Sequence, residues 1–175
     1  MKREEPTIQY ATPIDAPSLA KLAERTFRDA FSHLNNKENF EKYVAASFTE
    51  GQIRSELMDP AVDFLIACIG DKWVGYAKLH ESHPPDCVKP LPAIELSRLY
   101  SEQRFLGCGI GPALMNACIA HAKERAFRSV WLGSWQENHR GNAFYKKMRF
   151  EVLGEKTFVM GSENQEDFIY VKSIG

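Results

Sequence analysis

The chain has 175 residues, enough for one domain with a full core, and its 44% hydrophobic and 26% charged residues are ordinary for a soluble globular protein. A formal net charge of -1 gives no electrostatic case for nucleic acid, so acceptor specificity has to come from a local pocket. No segment approaches a membrane span and Met1-Lys2-Arg3-Glu4-Glu5-Pro6 lacks the apolar core of a signal peptide, so the expectation is a cytoplasmic protein with one domain over residues 1–175.

Thr7-Ile8-Gln9-Tyr10-Ala11 reads as a first strand, and Asp15 is placed to cap the helix after it, in which Leu19, Leu22, Ala23, Thr26, Phe27, Ala30 and Phe31 recur at helical spacing. A less regular helix carries Phe40, Tyr43, Val44 and Phe48. Thr49 with Gln52 then makes a capping-box pattern for a short helix through Leu57, halted by Asp59-Pro60. Asp63–Ile69 and Trp73–Leu79 are two strands joined by Gly70-Asp71-Lys72, an antiparallel hairpin by length and turn chemistry. Pro84, Pro85, Pro90 and Pro92 exclude helix between Glu81 and Pro92 and argue for a surface loop placed to border an acceptor site.

Ala93–Tyr100 is the next strand, and Leu106-Gly107-Cys108-Gly109-Ile110-Gly111-Pro112 follows it as a turn emptied of side chains just where a helix with apolar Leu114, Met115, Cys118, Ile119 and Ala122 begins. Such a turn bares amide groups at the positive end of a helix dipole and suits an anion, and Pro112 fits a first turn whose N–H would be an orphan anyway. Ser129–Ser134 is a strand and Asn138–Met148 a helix. Val152–Met160 and Asp167–Val171 form an edge hairpin connected by Gly161–Glu166.

The spacing around the glycines rejects two common phosphate sites. A P-loop needs Gly-Lys-Ser/Thr where Gly111-Pro112-Ala113 stands, and a dinucleotide fingerprint read from Gly107 needs glycine at Pro112. Coenzyme A remains as the pyrophosphate ligand. Cys68, Cys87, Cys108 and Cys118 form neither a Cys-x-x-Cys pair nor a zinc spacing with histidine, so neither a metal nor a disulfide framework is expected.

The order of elements and two motifs resemble the GNAT superfamily of acyl-CoA-dependent N-acetyltransferases. The family's Arg/Gln-x-x-Gly-x-Gly/Ala pattern fits literally from Arg104 to Gly109, and in a second register from Leu106 to Gly111 without the leading Arg or Gln; the second puts Pro112-Ala113-Leu114-Met115 at the helix start and is preferred. Trp131 through Phe150 looks like the strand and helix that close the coenzyme site, with Gly141 where alanine is usual and Arg149 where glycine is usual. The ending Glu155–Gly161 and Asp167–Tyr170, with the paired early helices, is most similar to bacterial spermine/spermidine-type acetyltransferases.

The resemblance implies an α/β fold with a mixed, largely antiparallel seven-stranded sheet flanked by helices, parallel and splayed where the strand of Glu95 meets that of Trp131. It implies acetyl-CoA as co-substrate, with the pyrophosphate on Gly107, Cys108, Gly109, Ile110, Gly111 and Pro112 and the pantetheine arm along Leu99, Tyr100 and Ser101. Asn138 would hydrogen-bond the coenzyme, Lys147 meet a phosphate and Tyr145 act as the general acid. Glu95 is the candidate base, taking the ammonium proton directly or through water, or attracting the cationic amine. The expected acceptor is a small primary amine such as spermidine or spermine; the alternatives are protein N-termini or lysines, and a non-catalytic acyl-CoA sensor. A homodimer follows from the habit of related proteins.

Overall fold

The computed structural model describes residues 4–175; Met1–Arg3 of the charged N-terminus lie outside the described residues. Its seven-stranded sheet runs in the order β1-β2-β3-β4-β5-β7-β6. The strands are β1 (Thr7–Tyr10), β2 (Val62–Ile69), β3 (Lys72–His80), β4 (Ala93–Ser101), β5 (Ser129–Trp135), β6 (Glu151–Met160) and β7 (Glu163–Ser173). Every pairing is antiparallel except β4 with β5.

Burial follows the apolar stripes seen in the sequence. Helices α1 (Ala16–Phe31), α2 (Lys37–Ser47) and α3 (Glu50–Met58) cover one face with Leu19, Leu22, Phe40 and Ile53 against Phe64, Ile66 and Tyr76. On the other face α4 (Ile110–Glu124) buries Leu114, Met115, Cys118 and Ala122 completely against Ala77, Leu79, Ile94 and Leu96, beside α5 (His139–Lys147). Each fully buried leucine there is worth about 1.5–3 kcal/mol, which ties α4, and so the glycine turn at its start, to the sheet.

Four local readings are corrected. Asp15 holds the N-cap position of α1, but its side chain makes no capping bond: it ends a 3-10 turn (Pro13–Asp15) and its Oδ2 accepts from Thr12 N at 2.8 Å and Thr12 Oγ1 at 3.2 Å. Only half of the Thr49–Gln52 capping box forms, since Gln52 N donates to Thr49 Oγ1 at 3.1 Å while the Gln52 side chain turns forward to Glu56. The last hairpin closes at Gly161-Ser162, with Met160 opposite Glu163, so residues assigned to its connection are strand; Gly161 takes φ +61 and permits the short turn. The proline loop does not itself line the cleft described below, although its Ser82 holds the side chain of Glu95, which does. It packs Val88 against Ala93, Trp131, Ile169 and Val171 and closes that portion of the sheet.

Candidate active site

Strands β4 and β5 pair only through Ala93–Ser129, Ile94–Val130 and Glu95–Trp131 and then diverge. The β5-facing edge of β4 beyond Glu95 therefore lacks a strand partner, and a cleft of about 1140 Å³ opens there. A bulge in β4 sets what faces it. Leu96 pairs with Leu79 and Arg98 with Lys78, leaving Ser97 over. One extra residue reverses the alternation of side chains, so Ile94 and Leu96 face α4 while Tyr100 packs on the α1 side. Leu99, Tyr100 and Ser101 all line the opening.

At one end of the cleft lies the glycine turn. Gly107 and Gly109 have φ +79 and +84, angles that disfavour L side chains, and a Cβ at either would meet nothing within 4 Å. The loop is thus bent as only glycine readily allows and has open space above it. Gly109 is the N-cap of α4, and the first bond across it is Ala113 N to Gly109 O at 3.1 Å. The amides of Ile110 and Gly111 have no helical acceptor, Pro112 has no N–H, and together they form the positive end of a helix dipole on the cleft wall. Coenzyme pyrophosphate fits this charge and space.

Cys108 departs from the expected cradle: its amide donates to Phe105 O at 3.1 Å, and its side chain is not on the cleft wall. Arg104, the leading residue of the other register, sits in a 3-10 turn (Gln103–Phe105), bonds Glu102 at 2.8 Å and lies over the Phe105 ring. The helix start favours the register beginning at Leu106. Gly111 has a packing reason of its own, because a Cβ there would come within 3.2 Å of the Phe144 ring on α5.

Helix α5 carries Asn138 at its N-cap, where Oδ1 accepts from Gly141 N at 3.1 Å. A Cβ on Gly141 would run into that same side chain. Glycine in place of alanine therefore preserves the cap. At the other end Arg149 takes φ +65, with Phe150 N bonded to Tyr145 O and Arg149 N to Lys146 O, both at 3.0 Å. This is the left-handed C-terminal turn that glycine usually supplies, formed by arginine at some cost. Phe150 packs edge-on to Tyr145, with ring centroids 6.1 Å apart, so the turn also fixes the tyrosine.

Tyr145, Asn138 and Lys147 all line the cleft. Burial, reinforced by Tyr170, pushes the Tyr145 phenol up, so it keeps its proton at neutral pH. His139, beside Asn138, is exposed and only reaches Glu137 at 3.6 Å.

Glu95 stands at the fork of the strands with its side chain 17% exposed; it accepts from Ser82 Oγ at 2.7 Å, and His80 Nδ1 is 3.9 Å away. The same face holds a buried ion cluster. Arg98 grips Glu56 with both terminal nitrogens at 3.0 and 3.2 Å, and Lys78 joins it at 3.1 Å. Burial, then Arg98, pulls the Lys78 ammonium below its usual range; burial works against the charge on Glu56, but Arg98 and Lys78 outweigh it and hold that carboxyl low.

As site residues, sequence reasoning passed over Asp167 and, of the aromatic residues on the cleft wall, Phe27, Phe31, Tyr43, Trp135 and Phe158. The residue types were visible in the sequence, but their convergence depends on β7 inserting between β5 and β6 and on the last hairpin reaching α2, where Asn39 Nδ2 donates to Ser162 Oγ at 3.1 Å.

A mixed sheet forked at its parallel pair, an amide cradle at a helix start and a second helix closing the cleft define the N-acetyltransferase class that uses acyl-CoA. Comparison with known proteins gives the family: residues 17–150 match the acetyltransferase (GNAT) family, and the chain belongs to it. It is similar to an uncharacterized N-acetyltransferase of Mycobacterium tuberculosis, 32% identical over 160 residues that cover 91% of this chain and 98% of that protein. A second uncharacterized N-acetyltransferase, from Lactobacillus delbrueckii subsp. lactis, is 25% identical over 160 residues, covering 91% and 92%. Among solved structures, the PaiA N-acetyltransferase from Thermoplasma acidophilum in complex with coenzyme A has the same fold, with a TM-score of 0.78, 20% identity and coverage of 97% and 99%. The protein is thus an acyl-CoA-dependent N-acetyltransferase. Among the described residues no group of His, Cys, Asp or Glu is arranged to hold a metal ion, and no helix is long and apolar enough to cross a membrane.

Proposed function

We propose that the protein transfers an acetyl group from acetyl-CoA to a primary amine held at the fork of β4 and β5. The observation that carries this reading is that one cleft is lined by the helix-start amides, by Tyr145 and by Glu95. Bound acetyl-CoA supplies an activated thioester carbonyl. The Gly107–Pro112 turn binds its phosphates, the unpartnered edge at Leu99, Tyr100 and Ser101 aligns its amide-bearing arm, and Asn138 and Lys147 contact it from α5.

Glu95 removes one proton from the ammonium, directly or through a water, and passes it to solvent. The freed nitrogen lone pair forms the new C–N bond as the C–S bond breaks. Tyr145 gives its proton to the departing sulfur and recovers one from the nitrogen, so the amide, the free thiol and one released proton balance the reaction.

A polyamine such as spermidine or spermine is the acceptor suggested by the terminal strands' resemblance to spermine/spermidine-type enzymes. Calorimetric titration with acetyl-CoA and amine-dependent thiol release test the reading together. Tyr145→Phe is expected to reduce kcat about 100-fold or more, the range for loss of a proton donor, while leaving the acetyl-CoA Kd unchanged. Absence of acetyl-CoA binding removes the cradle; equal turnover in the two proteins removes Tyr145 from the chemistry.

A further inference from the structure

The acceptor side of the cleft is walled by rings. Trp135 lies 6.5 Å from Phe31, Phe31 5.0 Å from Phe27, Phe27 5.3 Å from Tyr43, and Tyr43 5.7 Å from Phe158, centroid to centroid. Tyr100 closes the band 6.0 Å from Phe31. All of them line the cleft, bringing α1, α2, β4, β5 and β6 to one apolar surface.

Asp167 lines the same cleft and is 7% exposed. Among the described residues its carboxylate receives no hydrogen bond and forms no ion pair; Lys156, its register partner on β6, has its ammonium over the Trp131 ring instead, 5.3 Å from the centroid. Gly133 makes this possible, since a Cβ there would collide with the Lys156 side chain and come within 3.2 Å of Asp167 Oδ2. A buried carboxylate without a donor is costly, and a ligand that brings a charged donor relieves the cost.

The charges on the wall do not set how many ammonium groups the ligand carries, since Lys78, Arg98 and Lys156 line it together with Asp29, Glu95 and Glu137. The rings do favour one shape: a flat apolar body would lie on them and add burial.

We infer that the ring wall and Asp167 form the acceptor subsite and select an amine with a flat, preferably aromatic, body, its ammonium donating to the Asp167 carboxylate. This rests on the proposed transfer to a primary amine and replaces the polyamine suggested there with a ring-bearing amine. Asp167 acts here as a binding group, with the proton transfers left to Glu95 and Tyr145.

The test compares 2-phenylethylamine with spermidine as acceptors for the full chain with acetyl-CoA. We expect kcat/KM at least about 10-fold higher for 2-phenylethylamine, a discrimination of the size that burial of a ring provides. Asp167→Asn should raise the amine KM by about 10-fold or more and leave the acetyl-CoA KM unchanged, as expected for loss of a charge-assisted bond in the acceptor subsite alone. Phe158→Ala should raise the same KM without changing which group ionises in the pH profile. Preference for spermidine, or an amine KM unaffected by Asp167→Asn, overturns the inference. Failure to acetylate any amine would overturn the transfer reading instead. Calorimetry then tests the subsite separately: 2-phenylethylamine should bind the coenzyme-A-loaded protein and bind Asp167→Asn about 10-fold or more weakly, as expected for loss of that ionic contact, and absence of binding to the parent overturns the inference.

Discussion

Asp167→Asn separates what the carboxylate costs the fold from what it does for the acceptor. Burial is the main cause that lifts the Asp167 carboxyl from 3.8 to about 6; Lys156 on β6 opposes the rise and neighbouring Glu166 adds to it, while Gly133 and Trp135 on β5 bring no charge. A shift of about two pKa units is about 3 kcal/mol at about 1.36 kcal/mol per unit, and screening by water in the open cleft reduces the expected penalty to about 1–2 kcal/mol. The sign follows from proton binding. A carboxyl raised in the folded state favours folding most where it is protonated, so its penalty is absent below about pH 4, grows as pH rises to about 6 and is complete above that. Without amine, the variant should melt about 3–6 °C above the parent at pH 8 and only about 1–2 °C above it at pH 4.5, at the usual conversion for a chain of this length. Differential scanning calorimetry at the two pH values measures both gaps. An equal gap at both pH values, or a variant less stable than the parent at pH 8, would refute the reasoning, because the buried ion would then cost nothing.

Arg149→Gly should raise stability by about 1 kcal/mol on urea unfolding, the strain of a non-glycine residue at positive φ, with turnover unchanged because the backbone bonds that seat Tyr145 remain. Gly141→Ala should lose stability despite alanine's better helix propensity, since its Cβ displaces Asn138 and a lost N-cap costs about 1 kcal/mol; titration should also show weaker acetyl-CoA binding. Glu56→Gln leaves Lys78 and Arg98 buried without their shared anion and should cost about 3 kcal/mol at pH 7. Because the Glu56 carboxyl is held low, that cost should shrink as pH falls below the normal carboxylate range, which denaturant midpoints at pH 7 and pH 4 will show.

The parts of the site legible in the sequence are those that the chain's own neighbours determine. Glycines at 107 and 109 announce a backbone conformation, apolar spacing after Ile110 announces a helix, and together they place the amide cradle before any tertiary contact is known. At Arg149 that local logic shows arginine where glycine is usual, but not that the packing of Phe150 on Tyr145 and the two backbone bonds to Tyr145 O and Lys146 O hold the left-handed turn in place. Asp167 escaped it altogether. Its burial depends on β7 pairing with β5, on Gly133 leaving room and on Lys156 resting over Trp131, contacts whose partners stand 32, 34 and 25 residues apart. On the proposed reading the coenzyme phosphates sit on a contiguous loop and helix start, whereas the proposed acceptor wall is assembled from α1, α2, β4, β5, β6 and β7. Substitutions on that wall can therefore alter the amine chosen while the cradle, held by α4 against the sheet, stays unchanged.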